Sequence, residues 1–189
     1  MKQKNMTMNT IACPNCQKES LEGARFCSGC GQALPAQTAP AEQKAGATEI
    51  FLLYAHEDED LKEQFLKHMA ILRRSQQAMI WHDGDIQGGE EIHKEVDAHM
   101  TSAKIILMLI SASFIASDYC YGEQMEVAMR RHKEGTAKVV PIIIKPVDWK
   151  GTPFDILQAV PHSGKPISTW NNRDEAWLEV VRAIKAILK

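Results

Sequence analysis

IILMLISASFIASDYCYGEQ, residues 105–124, is the stretch whose reading decides the fold. Its first six residues are an unbroken apolar run, the pattern of a strand covered on both faces. The Ser/Ala segment 111–117 reads as a loop, and Tyr119-Cys120-Tyr121-Gly122-Glu123 opens a helix. A strand buried on both faces and followed by a helix is the repeating part of a parallel sheet flanked by helices. In open sheets of that kind, ligands bind outside the carboxyl ends of the strands. Glu123 would stand at such an end and is the leading candidate for chemistry.

Tyr119 and Glu123 are four residues apart and share a face of an α-helix, whereas Tyr121, Met125, Ala128 and Met129 form the stripe that would face the sheet. Ser117 or Asp118 caps that helix, whose dipole favours an ionised carboxylate in its first turns. Glu126, the competing acid, precedes Arg130 by four residues, the favourable order for a surface ion pair. Cys120 reads as a small buried hydrophobe rather than a reactive thiol.

The same alternation extends outward. Apolar runs at 50–53, 79–81 and 139–144 join 105–110 as strands, separated by amphipathic stretches. Leu61, Phe65, Met69 and Leu72 mark one face of a helix near 58–74, and Trp177, Val180, Val181, Ile184 and Leu188 mark one face of the last. Pro141 lies inside the fourth strand run, although proline cannot donate to a ladder. HDGDIQGGEE, residues 82–91, is an acidic, glycine-containing loop between the second strand and the second helix. It could cover a ligand or dock on a neighbouring subunit.

Towards the amino terminus, Cys13-Pro14-Asn15-Cys16 and Cys27-Ser28-Gly29-Cys30-Gly31 are two Cys-x2-Cys knuckles ten residues apart. Four thiolates so spaced suit one tetrahedral zinc ion, with Cys13, Cys16, Cys27 and Cys30 as ligands. The segment resembles a short zinc ribbon. It has too few large apolar residues to fold without metal, so the zinc would be structural. Disulfides are the alternative, disfavoured by the tight pairing and by a reducing cytosol. The stretch LPAQTAPAEQKAGAT, residues 34–48, reads as a flexible tether. The expected organisation is a zinc ribbon at 1–33, a linker at 34–48 and an α/β domain at 49–189.

A net charge of -2 gives no general attraction to nucleic acid. The longest apolar run, six residues, is far below the ~20 needed to span a membrane, and residues 1–12 lack the apolar segment of a signal peptide. The expected location is the cytoplasm.

Ile50-Phe51-Leu52-Leu53-Tyr54-Ala55-His56-Glu57-Asp58, the loop bounded by Asp83 and Gly89, Ser111-Ala112-Ser113-Phe114 and Ser117-Asp118-Tyr119-Cys120-Tyr121-Gly122-Glu123 occur in that order. Together they resemble the bacterial form of the Toll/interleukin-1 receptor (TIR) family over residues 49–189. That family usually has serine where Leu53 stands and often tryptophan where Tyr119 stands. The resemblance implies a flavodoxin-like fold with five parallel strands. It also implies one of two functions: cleavage of NAD+ between nicotinamide and ribose, with Glu123 as the catalytic carboxylate, or non-enzymatic assembly with other TIR domains through the 83–89 loop. By the same resemblance Tyr54, Ala55, His56, Trp81, Asp83 and Tyr119 would line a nucleotide pocket, with Ser111 and Ser113 near its phosphates. Tyr54 and Trp81 read equally well as ordinary half-buried aromatics. The ribbon would be left to bind a further protein partner.

Other α/β readings fail on particular residues. A phosphoacceptor receiver domain needs an aspartate where Ile110-Ser111 stand, and a dinucleotide-binding dehydrogenase needs G-x-G-x-x-G where Ala55-His56-Glu57 stand.

Overall fold

The computed structural model describes residues 10–12, 15–16, 19–21, 28–30, 46–85 and 92–189. The chain divides into two compact units, Met1–Lys44 and Ala45–Lys189. In the first, β1 (Thr10–Ala12) pairs antiparallel with β2 (Glu19–Leu21), and Asn15 and Cys16 between them form a turn. Cys13 and Cys27 lie outside the described residues, as does most of the 34–48 stretch.

In the second unit, β3 (Thr48–Leu53), β4 (Ala78–Trp81), β5 (Ile105–Ile110) and β6 (Lys138–Ile143) form one parallel sheet in the order β4-β3-β5-β6. Period-2 alternation sends Ile50, Leu52, Leu107 and Ile142 to one face and Phe51, Leu53, Met108 and Ile143 to the other. The first face is covered by α1 (Glu59–His68), α2 (Ala70–Arg74) and α6 (Arg173–Ile187), through Phe65, Met69, Leu72 and Trp177. The second is covered by α3 (Ile92–Ser102) and α5 (Met125–Lys133), through Val96, Met100, Met125 and Ala128. Leu53 packs on this second face, and that contact accounts for an apolar residue where the family has serine.

The sheet has four strands among the described residues, where five were expected. The fifth position holds only an isolated parallel bridge between Ile142 and Val160. Outward-facing amides of β6 explain why pairing stops there. The Val139 N–H donates to the His132 ring, Pro141 has no N–H, and only the Ile143 N–H reaches Val160 O, at 2.9 Å. The next residue after Val160 is Pro161, which cannot donate either. Pro141 is tolerated inside the sheet because its missing donor faces this edge, not β5.

Candidate functional site

In this strand order the chain leaves β3 towards β4 on one side, while β5 lies on the other. The carboxyl ends of β3 and β5 therefore flank a topological switch point, where a crevice opens. A cleft of about 530 Å³ occupies it, within the range of small-molecule sites. After β3 it is lined by Tyr54, Ala55, His56 and Glu57, after β4 by Asp83, and after β5 by Ser113, Ser117, Tyr119 and Cys120.

Local capping sets the β5 side. Ser111, in extended conformation, accepts from Phe114 N and caps α4 (Ala112–Ala116). Ser117 then accepts from Cys120 N at 3.2 Å and caps a π-helix, Asp118–Gln124, that runs into α5. The Met125 N–H donates to Cys120 O, the five-residue span that defines the π-turn. Cys120 is buried, and its thiol donates to Tyr54 O at 3.3 Å, tying the π-helix to the end of β3. Burial pushes the Cys120 thiol up, consistent with an inert packing thiol.

Of the residues expected around a nucleotide, the cleft gathers Tyr54, Ala55, His56, Asp83, Ser113 and Tyr119. It does not include Trp81, which stacks on Phe51 at 5.4 Å and on His99 at 4.2 Å and serves as a half-buried packing aromatic. Nor does it include Ser111, which is fully buried and donates to Asp58. Glu123 is exposed and stands outside the cleft lining, on the same π-helix as Tyr119 and Cys120. Only Asp83, Gly84 and Asp85 of the loop bounded by Asp83 and Gly89 are among the described residues.

The cleft is acidic: Glu57 and Asp83 line it, and among the described residues no lysine or arginine does. His56 Nε2 approaches Asp83 Oδ2 at 3.5 Å. Tyr54 is held protonated by burial, by its hydrogen bond to Glu59 and by Asp83. Burial, with Asp83 adding to it, pushes the Tyr119 hydroxyl up to about 12. Both phenols are therefore neutral donors at any physiological pH.

Beneath Tyr54 lies a polar layer that sequence reasoning missed. Lys62 is nearly buried, paired with Glu59 at 2.6 Å and Glu63 at 2.9 Å, and its ammonium sits 5.3 Å from the Tyr54 ring centroid. His82 is buried edge-on to the same ring, with Nε2 3.6 Å from Asp85 and Nδ1 without a partner among the described residues. Burial pulls its pKa down against the pull of Asp85. The signal available was Lys62 falling on the apolar face that Leu61 and Phe65 define, a position that demands a partner.

Among the described residues no three His, Cys, Asp or Glu side chains converge as a metal site, and no helix is long and apolar enough to cross a membrane. In the amino-terminal unit, the Asn15 side-chain amide donates to Cys30 Sγ at 3.7 Å. That bond places Asn15 beside Cys30.

The TIR domain family model matches residues 50–179. The chain is 47% identical over 136 residues to the uncharacterized protein y4lF of Sinorhizobium fredii, covering 72% of this chain and 42% of that protein. The chain thus spans less than half the length of that relative. The TIR domain of the Toll-related receptor TRR-2 of Hydra magnipapillata superposes with a TM-score of 0.53 at 14% identity, covering 72% of this chain and 97% of the receptor domain. The TIR domains of the activated Roq1 resistosome match with a TM-score of 0.40 at 19% identity, over 51% of this chain and 57% of that one.

Proposed function

The chain belongs to the TIR domain family, and from that premise we propose that it is an NAD+ glycohydrolase that cleaves the bond between nicotinamide and ribose and acts as an assembly of copies. The observation that carries this reading is the switch-point cleft, which collects six of the residues expected to line a nucleotide pocket beside the helix that bears Glu123. Its charge supports the same substrate. A cleft lined by two carboxylates, with no lysine or arginine among the described lining residues, favours the cationic nicotinamide ring over the phosphates, which then face its mouth.

In the proposed reaction nicotinamide leaves as a neutral molecule, so no general acid is needed. The C1′–N bond electrons depart with the ring, and the ribosyl centre becomes oxocarbenium-like. The Glu123 carboxylate stabilises that charge and holds ribose hydroxyls, and water adds to C1′ with loss of a proton. Tyr54 and Tyr119, both kept neutral, flank the ligand as uncharged aromatic walls, and Tyr54 commits its one proton to Glu59. Glu123 is exposed and outside the cleft lining, so in this proposal a second copy seated over the cleft supplies the water exclusion that makes its charge effective. The loop bounded by Asp83 and Gly89 is the proposed contact for that copy.

For the amino-terminal unit we propose a structural zinc ion held by Cys13, Cys16, Cys27 and Cys30 in a reducing cytoplasm, with a protein partner as its further role. The antiparallel pairing of β1 with β2 and the Asn15 to Cys30 bond support it, since amide donors to a sulfur suit a metal-bound thiolate.

The test is nicotinamide release from NAD+ by the full chain over a range of protein concentrations. Turnover per chain is expected to rise steeply as the protein assembles. Folded, assembled protein that leaves NAD+ intact would overturn the enzymatic reading and leave a TIR adaptor.

A further inference from the structure

We infer that Asp58, Ser111 and Lys145 form a buried positioning device that sets where the Glu123-bearing helix stands against the cleft. The inference rests on the proposed role of Glu123. Asp58 occupies the N-cap position of α1, where an aspartate ordinarily accepts a hydrogen bond from an amide of the first turn. Here it makes no such bond. Its carboxylate is instead turned into the protein, 1% exposed, where Oδ2 accepts from the Ser111 hydroxyl and Oδ1 pairs with Lys145 Nζ at 2.5 Å. A carboxylate that gives up its cap and its water needs such partners, and among the described residues Ser111 and Lys145 supply them, because an unpaired buried charge is strongly disfavoured.

The three residues follow β3, β5 and β6, adjacent strands, at the carboxyl edge of the sheet, where the ends of β3 and β5 flank the cleft. Ser111 has one proton to donate and two lone pairs, and it uses both functions: it donates to Asp58 and accepts from Phe114 N at 3.0 Å. That second bond fixes α4, α4 leads to the Ser117 cap, and the cap fixes Cys120 N. From Cys120 the thiol returns to Tyr54 O, four residues before Asp58. The circuit closes on β3 and encloses the start of the π-helix. Lys145, the one partner with its side chain partly open to solvent at 41%, anchors the circuit from the fourth strand.

The experiment compares wild type, Ser111→Ala, Lys145→Met and Lys145→Arg in the full chain, each first shown to unfold cooperatively. Two readouts are taken: alkylation of Cys120 by iodoacetamide, followed by the mass of the fragment that contains it, and kcat and KM for nicotinamide release. Ser111→Ala and Lys145→Met are expected to speed Cys120 alkylation about tenfold and to lower kcat about tenfold with KM within about twofold, as for displaced catalytic groups. Lys145→Arg is expected to restore both. Where Ser111→Ala does not fold, Lys145→Met decides. Cys120 labelled at the wild-type rate in the folded variants would overturn the inference. Absence of nicotinamide release from wild type would remove the enzymatic reading, and the alkylation rates would then decide the positioning circuit by themselves.

Discussion

Glu123 is exposed while its neighbour Gln124 is buried, and the π-turn is what exchanges them. An α-helix would stack residue 123 over Tyr119, whereas a five-residue span brings residue 124 towards that register. The sequence shows the acid and its spacing but carries no sign of the extra residue in the turn, so its orientation could not be read. Leu53 and Tyr119 were readable as departures from the family pattern. Their consequences became clear only from packing, with Leu53 in the core and Tyr119 in the cleft. At His82 the environment yields a pH prediction. Its pKa is lowered from 6.5 in the folded chain, by burial first, so below about pH 6.5 the unfolded chain binds the proton that the native chain resists. Stability is expected to fall as pH drops from 7 to 5. The thermal transitions of wild type and His82→Asn across that range check it, the variant showing a shallower decline.

The elements themselves were largely readable. Strand runs of β-branched and aliphatic residues and helical stripes such as Leu61, Phe65, Met69 and Leu72 specify their type by periodicity alone, and all four of these residues are buried. The expected fifth strand was not resolvable in this way, because a single bridge at Val160 leaves no periodic pattern. Also invisible was the joint between α3 and α5. The Arg131 guanidinium donates to Ala103 O at 2.8 Å and to Thr136 O at 3.0 Å, and it also reaches Met100 O, so it caps the carboxyl end of α3 with a rigid fork. Lysine cannot reproduce that geometry. Arg131→Lys is expected to cost about 1–3 kcal/mol through unsatisfied carbonyls, measured by denaturant unfolding. A change below about 0.5 kcal/mol would show that water replaces the cap.

For the whole molecule, the alternation of strands and helices indicated the α/β unit, whereas the metal module expected from the cysteine spacing remains a proposal. What spacing could not convey was which residues the switch point collects, since Tyr54, Asp83 and Ser117 meet only through the parallel order β4-β3-β5. The zinc proposal predicts about one zinc per chain with four thiolate ligands. Chelation is then expected to abolish amide protection over β1 and β2 while β3 and β5 stay protected, read by hydrogen exchange. Reduced chain that binds no zinc would contradict it. The central claim is that the switch-point cleft and Glu123 together cleave NAD+. Nicotinamide release by wild type, Glu123→Gln and Glu126→Gln at matched assembly tests it most directly. The account predicts that Glu126→Gln stays within about twofold of wild type and that Glu123→Gln loses about a hundredfold or more. Release surviving in Glu123→Gln would contradict it.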